Sequence, residues 1–167
     1  MRSGCQRSCT PGRAAVGAPL AAIEAARATD LADLVELDRV CFSRRAWSPA
    51  AWAEVVVDPE WTTLVIRHAG APVAAIVLVL WPPGAHVASI GVHPDQRRFG
   101  LGTALLRDAM ERARRSGAHF LSLEVDRSNE AARRLYRREG FGLVGRFRED
   151  GRWRVTMHRR LRRSDGS

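Results

Sequence analysis

The stretch from Ser89 to Thr103, S-I-G-V-H-P-D-Q-R-R-F-G-L-G-T, constrains the fold more than any other part of the chain. It begins as an apolar strand, breaks at His93-Pro94-Asp95, turns through Gln96, Arg97, Arg98, Phe99 and Gly100, and enters a helix at Leu101-Gly102-Thr103. The first turn of a helix leaves its N–H groups unpaired and carries the positive end of the helix dipole, so an anion docks there readily. Gly100 and Gly102 let the backbone approach that anion, and Arg97 and Arg98 are placed to add charge-assisted hydrogen bonds. Strand, basic glycine turn and helix together read as a phosphate cradle. It is not a Walker loop, since no Gly-Lys-Ser/Thr follows, and it is not the dinucleotide fingerprint G-x-G-x-x-G. Taken alone, R-x-x-G-x-G also describes an ordinary strand-to-helix turn with solvated arginines.

The flanking sequence predicts an α/β domain with a mixed sheet. A first strand is expected over Ala22–Arg27, followed by a helix capped by Thr29 or Asp30 and running to Phe42, with Leu31, Leu34, Val35, Leu37 and Val40 on its apolar face. Ser48 as cap and Pro49 as first helical residue start a short helix to Val57. Trp47 and Trp52, on this helix and its approach, are expected to pack rather than to touch substrate. Strands Thr62–His68 and Pro72–Leu80 form a hairpin about Ala69-Gly70, and a strand over Ala85–Val92 leads into the cradle. The helix Leu101–Ser116 ends at Gly117, the strand His119–Val125 follows, and Asn129 begins a helix that stops at Gly140. Phe141–Arg148 and Arg152–Arg160 close the domain as a hairpin about Glu149-Asp150-Gly151. The strand–helix–strand unit through the cradle should be right-handed, with its parallel strands adjacent and its anion site beyond their carboxyl ends.

At 167 residues, a single domain over residues 21–162 is expected. Residues 1–20, rich in Gly, Pro, Ser, Arg and Ala without periodicity, read as a disordered extension, and residues 163–167 as a polar tail. Arg2 and Arg7 precede no continuous apolar region of a signal peptide. No run reaches the roughly 20 apolar residues of a membrane span. Cys5, Cys9 and Cys41 make no disulfide framework, which points to a cytoplasmic setting, and neither a lone C-x-x-x-C nor the five histidines have metal-ligand spacing, so no metal is expected. The net charge is +9 and every basic side chain counted in it is arginine. That excess suits phosphate or carboxylate partners. Nucleic acid is not expected as the main partner, because the arginines are spread along the chain with no base-reading motif or aromatic series.

Two residues carry candidate chemistry. Glu124, near the end of the strand Phe120-Leu121-Ser122-Leu123-Glu124-Val125, lies at the sheet edge where the cradle opens; partial desolvation there would raise its pKa and make it a general base. The same position also fits a solvated strand-end glutamate. Tyr136, the only tyrosine, lies two turns after Asn129 on a similar helix face and is a candidate proton donor or a core tyrosine.

The cradle and the segment L-E-V-D-R-S-N-E-A-A-R-R-L-Y-R-R-E-G-F together resemble the two signatures of the GNAT N-acetyltransferases, most closely the bacterial ribosomal-protein-alanine N-acetyltransferase subgroup. The resemblance implies a mainly antiparallel mixed sheet flanked by helices, with a parallel pair splayed at an acetyl-CoA site. It implies acetyl-CoA as cosubstrate, held by Ile90, Gly91, Val92, Arg97 (or Gln96 as the motif's first position), Arg98, Phe99, Gly100, Leu101, Gly102, Thr103 and Asn129. Glu124 would then be proton acceptor and Tyr136, also at the coenzyme, proton donor to the leaving thiolate. A backbone N–H near Val92 would stabilise the oxyanion, with no acyl-enzyme and no nucleophilic role for Cys41. The acceptor implied is a protein N-terminal amine, with a small-molecule amine or a non-catalytic binding module as alternatives. The segment F-x-x-x-x-W-S at Phe42–Ser48 resembles the subgroup's substrate side. Two departures stand out: Ala46-Trp47-Ser48 replaces Pro-Trp-Ser, and the connection Phe147–Arg152 is short and lacks the usual aromatic residues. An arginine-rich edge there suits an acidic peptide or a small amine bearing a carboxylate or phosphate.

Overall fold

The computed structural model describes residues 22–161; the expected extension, the C-terminal tail, Cys5 and Cys9 lie outside them. Seven strands form one sheet in the order β1-β2-β3-β4-β5-β7-β6: β1 (Ile23–Ala25), β2 (Trp61–His68), β3 (Ala71–Trp81), β4 (Gly84–Val92), β5 (Phe120–Asp126), β6 (Gly142–Glu149) and β7 (Arg152–Arg160). Every neighbouring pair is antiparallel except β4 and β5. Four helices cover it: α1 (Leu31–Phe42), α2 (Pro49–Val57), α3 (Leu101–Arg115) and α4 (Glu130–Arg138). This is the mixed, mainly antiparallel α/β arrangement expected.

Alternation along the central strands separates two cores. Leu64 and Ile66 of β2, with Ile76 and Leu78 of β3, face α3, whose Leu105, Leu106, Ala109, Met110 and Ala113 recur at helical spacing and are all buried. Val65, Ala75 and Val77 point the other way, against Leu34 and Leu37 of α1 and Trp52 and Val55 of α2. Each buried leucine contributes about 1.5–3 kcal/mol relative to exposure. β3 is therefore covered on both faces, which is why Ala71–Trp81 reads as a nearly continuous apolar run.

Local punctuation holds at most helix ends. The Ser48 side chain accepts from the Ala51 N–H with Pro49 in the first helical position, and Asn129 accepts from the Ala132 N–H at 3.1 Å. Asp30 departs from expectation. It stands at the start of α1 but does not cap it: its carboxylate takes the Arg27 N–H at 2.7 Å and the Arg67 guanidinium at 2.6 and 2.8 Å. A guanidinium fork on the neighbouring strand outcompetes a neutral helix N–H for a charged acceptor.

Candidate active site

The parallel contact between β4 and β5 is short. It runs from Gly84 opposite Phe120 to Val87 opposite Leu123 and then ends, although both strands continue. The cause lies on the other side of β4, where Leu78 pairs with Val87 but Val77 pairs with Ser89, leaving Ala88 without a partner. Such a bulge bends its strand, and beyond it β4 turns away from β5.

The gap is lined by usable backbone. The His93 N–H donates to the Val73 carbonyl at 2.8 Å, so Val92 and Ala74 form a non-hydrogen-bonded pair. The N–H and C=O of Val92, and by the same alternation those of Ile90, therefore point away from β3 and into the opening. Gly91, a position expected at the coenzyme, has a packing role as well. A Cβ there would meet Cys41 Sγ at 3.1 Å and Phe42 at 3.3 Å, so its small size lets α1 press against β4. Burial pushes the Cys41 thiol above its ordinary range, consistent with a packed side chain and not a nucleophile.

At the end of β4 the cradle takes the shape its sequence suggests. Gly100 adopts φ +78° at the start of α3 and offers no side chain as cap, so the N–H groups of Leu101, Gly102 and Thr103 are left for a ligand. A Cβ at Gly100 would have open space, so the constraint there is conformational; at Gly102 a Cβ would sit 3.6 Å from Leu135 and Val92, in ordinary contact. The protein's own packing thus admits a side chain at Gly102, and what it would obstruct is an approaching anion. Arg98 is also left-handed, at φ +68°, and Phe99 is exposed beside it. Arg97 departs from expectation: it folds back, and its Nε donates to the Val92 carbonyl at 3.1 Å instead of projecting toward the helix end. That carbonyl points into the gap and has no strand partner, which makes it the nearest strong acceptor.

A cleft of about 200 Å³ opens from the gap. Ile90 of β4, Glu124 of β5, the α4 cap Asn129 and Tyr136 of α4 share its walls, so four residues separated by up to 46 positions converge as expected. Val92 and the turn Arg97–Thr103 lie beyond the cleft itself, at the foot of α3. Tyr136 is buried among Phe141 and the α3 core, and that burial pushes its phenol up to about 12. The side-chain oxygen of Asn129 is used as the α4 cap, which leaves its amide donor for a ligand.

Glu124 differs from expectation. Its side chain is 37% exposed and lies 3.9 Å from Arg154 Nη2, so neighbouring charge rather than desolvation defines its surroundings. The β5–β7 register explains the pairing, since Glu124 faces Thr156 and Asp126 faces Arg154. Arg154, Asp126, Asp38 and Arg45 are wall residues that local sequence reasoning missed. Asp126 lies two residues after Glu124 on the same strand face, and the alternation Arg152-Trp153-Arg154 was the available sign that a charged row would meet it. Asp126 accepts from the Ser128 hydroxyl at 2.6 Å and N–H at 2.9 Å; these bonds, helped by Arg45, hold its carboxyl down at about 2. Asp38 on α1 is buried and its pKa is raised by that burial, while its Oδ2 takes the Trp47 N–H at 2.6 Å. This bond pins the connection between α1 and α2 over the cleft. Trp47 packs on Trp52 at 5.2 Å and on Trp61 at 6.2 Å, as expected, and also reaches the cleft wall. Among the described residues there is no cluster of three or more His, Cys, Asp or Glu suited to a metal.

Comparisons with known proteins agree with this geometry. The model of the acetyltransferase (GNAT) family matches residues 30–141. The N-alpha-acetyltransferase RimI of Mycobacterium tuberculosis is 36% identical over 121 residues, covering 68% of this chain and 75% of that protein. The crystal structure of the ribosomal-protein-S18-alanine N-acetyltransferase from Escherichia coli superposes with a TM-score of 0.78 at 26% identity, covering 87% of this chain and 96% of that one. The L-methionine sulfoximine/L-methionine sulfone acetyltransferase of Pseudomonas aeruginosa is 39% identical over 69 residues, a match that spans 40% of its length and 39% of this chain. A splayed strand pair beside an uncapped glycine turn, a glutamate and a buried tyrosine on one cleft, and a family match over most of the described chain lead to one conclusion: the chain belongs to the GNAT acetyltransferase family and is an N-acetyltransferase.

Proposed function

We propose that the chain transfers acetyl from acetyl-CoA to the N-terminal α-amine of a protein, in the manner of the ribosomal-protein-alanine acetyltransferases. The observation that carries this reading is the placing of Glu124 and Tyr136 on one cleft that opens from the β4–β5 gap. The residues present fit the coenzyme. The foot of α3, with Leu101, Gly102 and Thr103 N–H groups uncapped, suits its pyrophosphate, and the strand edge at Ile90 suits its amide-bearing arm. Acetyl-CoA supplies a thioester whose carbonyl carbon is open to attack by an amine.

The chain's own groups manage the protons. An ammonium is not nucleophilic, so Glu124, through a water, accepts a proton from the incoming amine. As the carbon–nitrogen bond forms, the Val92 N–H faces the charge that develops on the carbonyl oxygen. The carbon–sulfur bond then breaks, Tyr136, protonated at its raised pKa, gives its phenolic proton to the departing sulfur, and the new amide nitrogen sheds its second proton to water. Exchange with solvent returns Glu124 and Tyr136 to their starting states. Mutual similarity to the named N-α-acetyltransferases over two thirds of the chain favours a protein amine. A free amino acid or similar small amine is the second reading, favoured by the partial identity to the Pseudomonas aeruginosa enzyme. Thiol release measured with alanine- and serine-initiated peptides beside small amines separates them. Release with the peptides supports the first, and release with small amines alone replaces it by the second.

A further inference from the structure

The mouth of the cleft carries an arrangement of charge that acetyl transfer does not itself require. Asp126 follows Glu124 by two positions on β5, which places it on the same face about 6.6 Å further along. Two guanidiniums converge on one of its oxygens: Arg45 Nη2, from the connection after α1, at 3.1 Å, and Arg152 Nη1, from the start of β7, at 3.5 Å. Asp126 is nearly enclosed, its side chain 7% exposed, whereas Arg45 and Arg152 are 49% and 65% exposed. Each therefore shares a single acceptor oxygen and keeps most of its five donors turned to water, in the fork that fits a carboxylate.

Arg45, Arg152 and Arg154 stand against Asp126, Glu124 and Glu149, whose carboxylate holds Arg154 Nη1 at 2.6 Å. The remaining carboxyl of the cleft, Asp38, is committed to the Trp47 N–H. A carboxylate carried by the acceptor would meet the donors that Arg45 and Arg152 do not spend on Asp126. Spacing selects which carboxylate. In a free amino acid the acid group is bonded to the same carbon as the amine, whereas the side-chain acid of a peptide's second residue lies up to about two residue lengths away, close to the separation of Asp126 from Glu124.

We infer that the acceptor is a protein N-terminus whose second residue is Asp or Glu, held by Arg45 and Arg152 while the α-amine faces Glu124. This rests on the N-terminal reading above and names its substrate class. The test is steady-state thiol release by the full chain on peptides beginning Ser-Glu, Ser-Gln and Ser-Arg and otherwise identical, with free serine and glutamate alongside. The Ser-Glu peptide should exceed Ser-Gln by about tenfold or more in kcat/KM, the strength of a charge-assisted contact, with the gain carried by KM. The ratio should fall toward one in Arg45→Gln and in Arg152→Gln. In Arg45→Glu it should invert in favour of Ser-Arg, a gain that misfolding cannot produce. Equal kcat/KM on all three peptides in the unaltered protein, or a Glu/Gln ratio that survives both glutamine substitutions, overturns the acidic selection and leaves the N-terminal reading standing. Acetylation of the free amino acids with no peptide turned over overturns both.

Discussion

Tyr136 remains a proton donor across the whole range in which amines are free, because burial pushes its phenol up to about 12. The rate of transfer at saturating substrate should therefore show no descending limb from this group below about pH 11. Replacing it with Phe should slow transfer by about 100-fold or more while the cleft wall stays packed, and an unchanged rate in a stopped-flow thiol assay would reduce it to a core residue. Glu124→Gln should produce a loss of similar size, with acetyl-CoA affinity by calorimetry within about twofold of the original, since the glutamate lies away from the foot of α3. At Gly102 fold and ligand make opposite demands. The Cβ of Gly102→Ala fits 3.6 Å from Leu135 and Val92, and alanine is the better helix former by about 1 kcal/mol. That variant should melt at the same or higher temperature and bind acetyl-CoA more weakly; equal affinity would place the pyrophosphate elsewhere.

Elements, more than residues, show what was legible in advance. Helix limits were readable wherever a residue has one conformational use, as with Ser48-Pro49, Gly100, Gly117 and Gly140, and strands were readable where apolar runs lay between turn residues. The convergence of Glu124, Asn129 and Tyr136 was legible as well, because all three lie within one strand–turn–helix segment. What could not be read was anything decided between distant strands: the bulge at Ala88, the facing of β7 onto β5, and so the presence of Arg154 beside Glu124. Arg45 and Asp30 escaped for the same reason, each being held by a partner far along the chain. α4 is the element on which fold and site depend together. Asn129→Ala removes its cap, at a cost of about 1 kcal/mol in urea unfolding, and also removes the one amide donor that α4 offers to the cleft; Asn129→Ser should recover the stability but not the coenzyme affinity.

For the whole molecule, carboxylates held by always-charged arginines make acid the more damaging direction of pH. Asp126 is held at about 2 in the folded protein, below the 3.8 of an ordinary aspartate, first by the Ser128 hydroxyl. Its contribution is thus fully present above about pH 4 and is lost as pH falls toward 2. Asp30, held by Arg67, and Glu139, held by Arg107, are lowered likewise and lose stability in the same direction, on acidification. Melting temperature followed by circular dichroism should drop between pH 4 and 2, and the drop should be shallower in Asp126→Asn; an identical slope would show that the mouth of the cleft carries none of it.

Ala88 gives the parallel pair its length, and through it the enzyme its function. Without that surplus residue β4 could run straight, Ser89 and Ile90 could zip onto the end of β5, and the register shift would turn the side chains beyond it onto opposite faces. A chain shortened by this one residue should be a better-sealed sheet that no longer admits a thioester. The opening is a place where sheet formation stops early, and the hydrogen bonds forgone there are those a ligand can make.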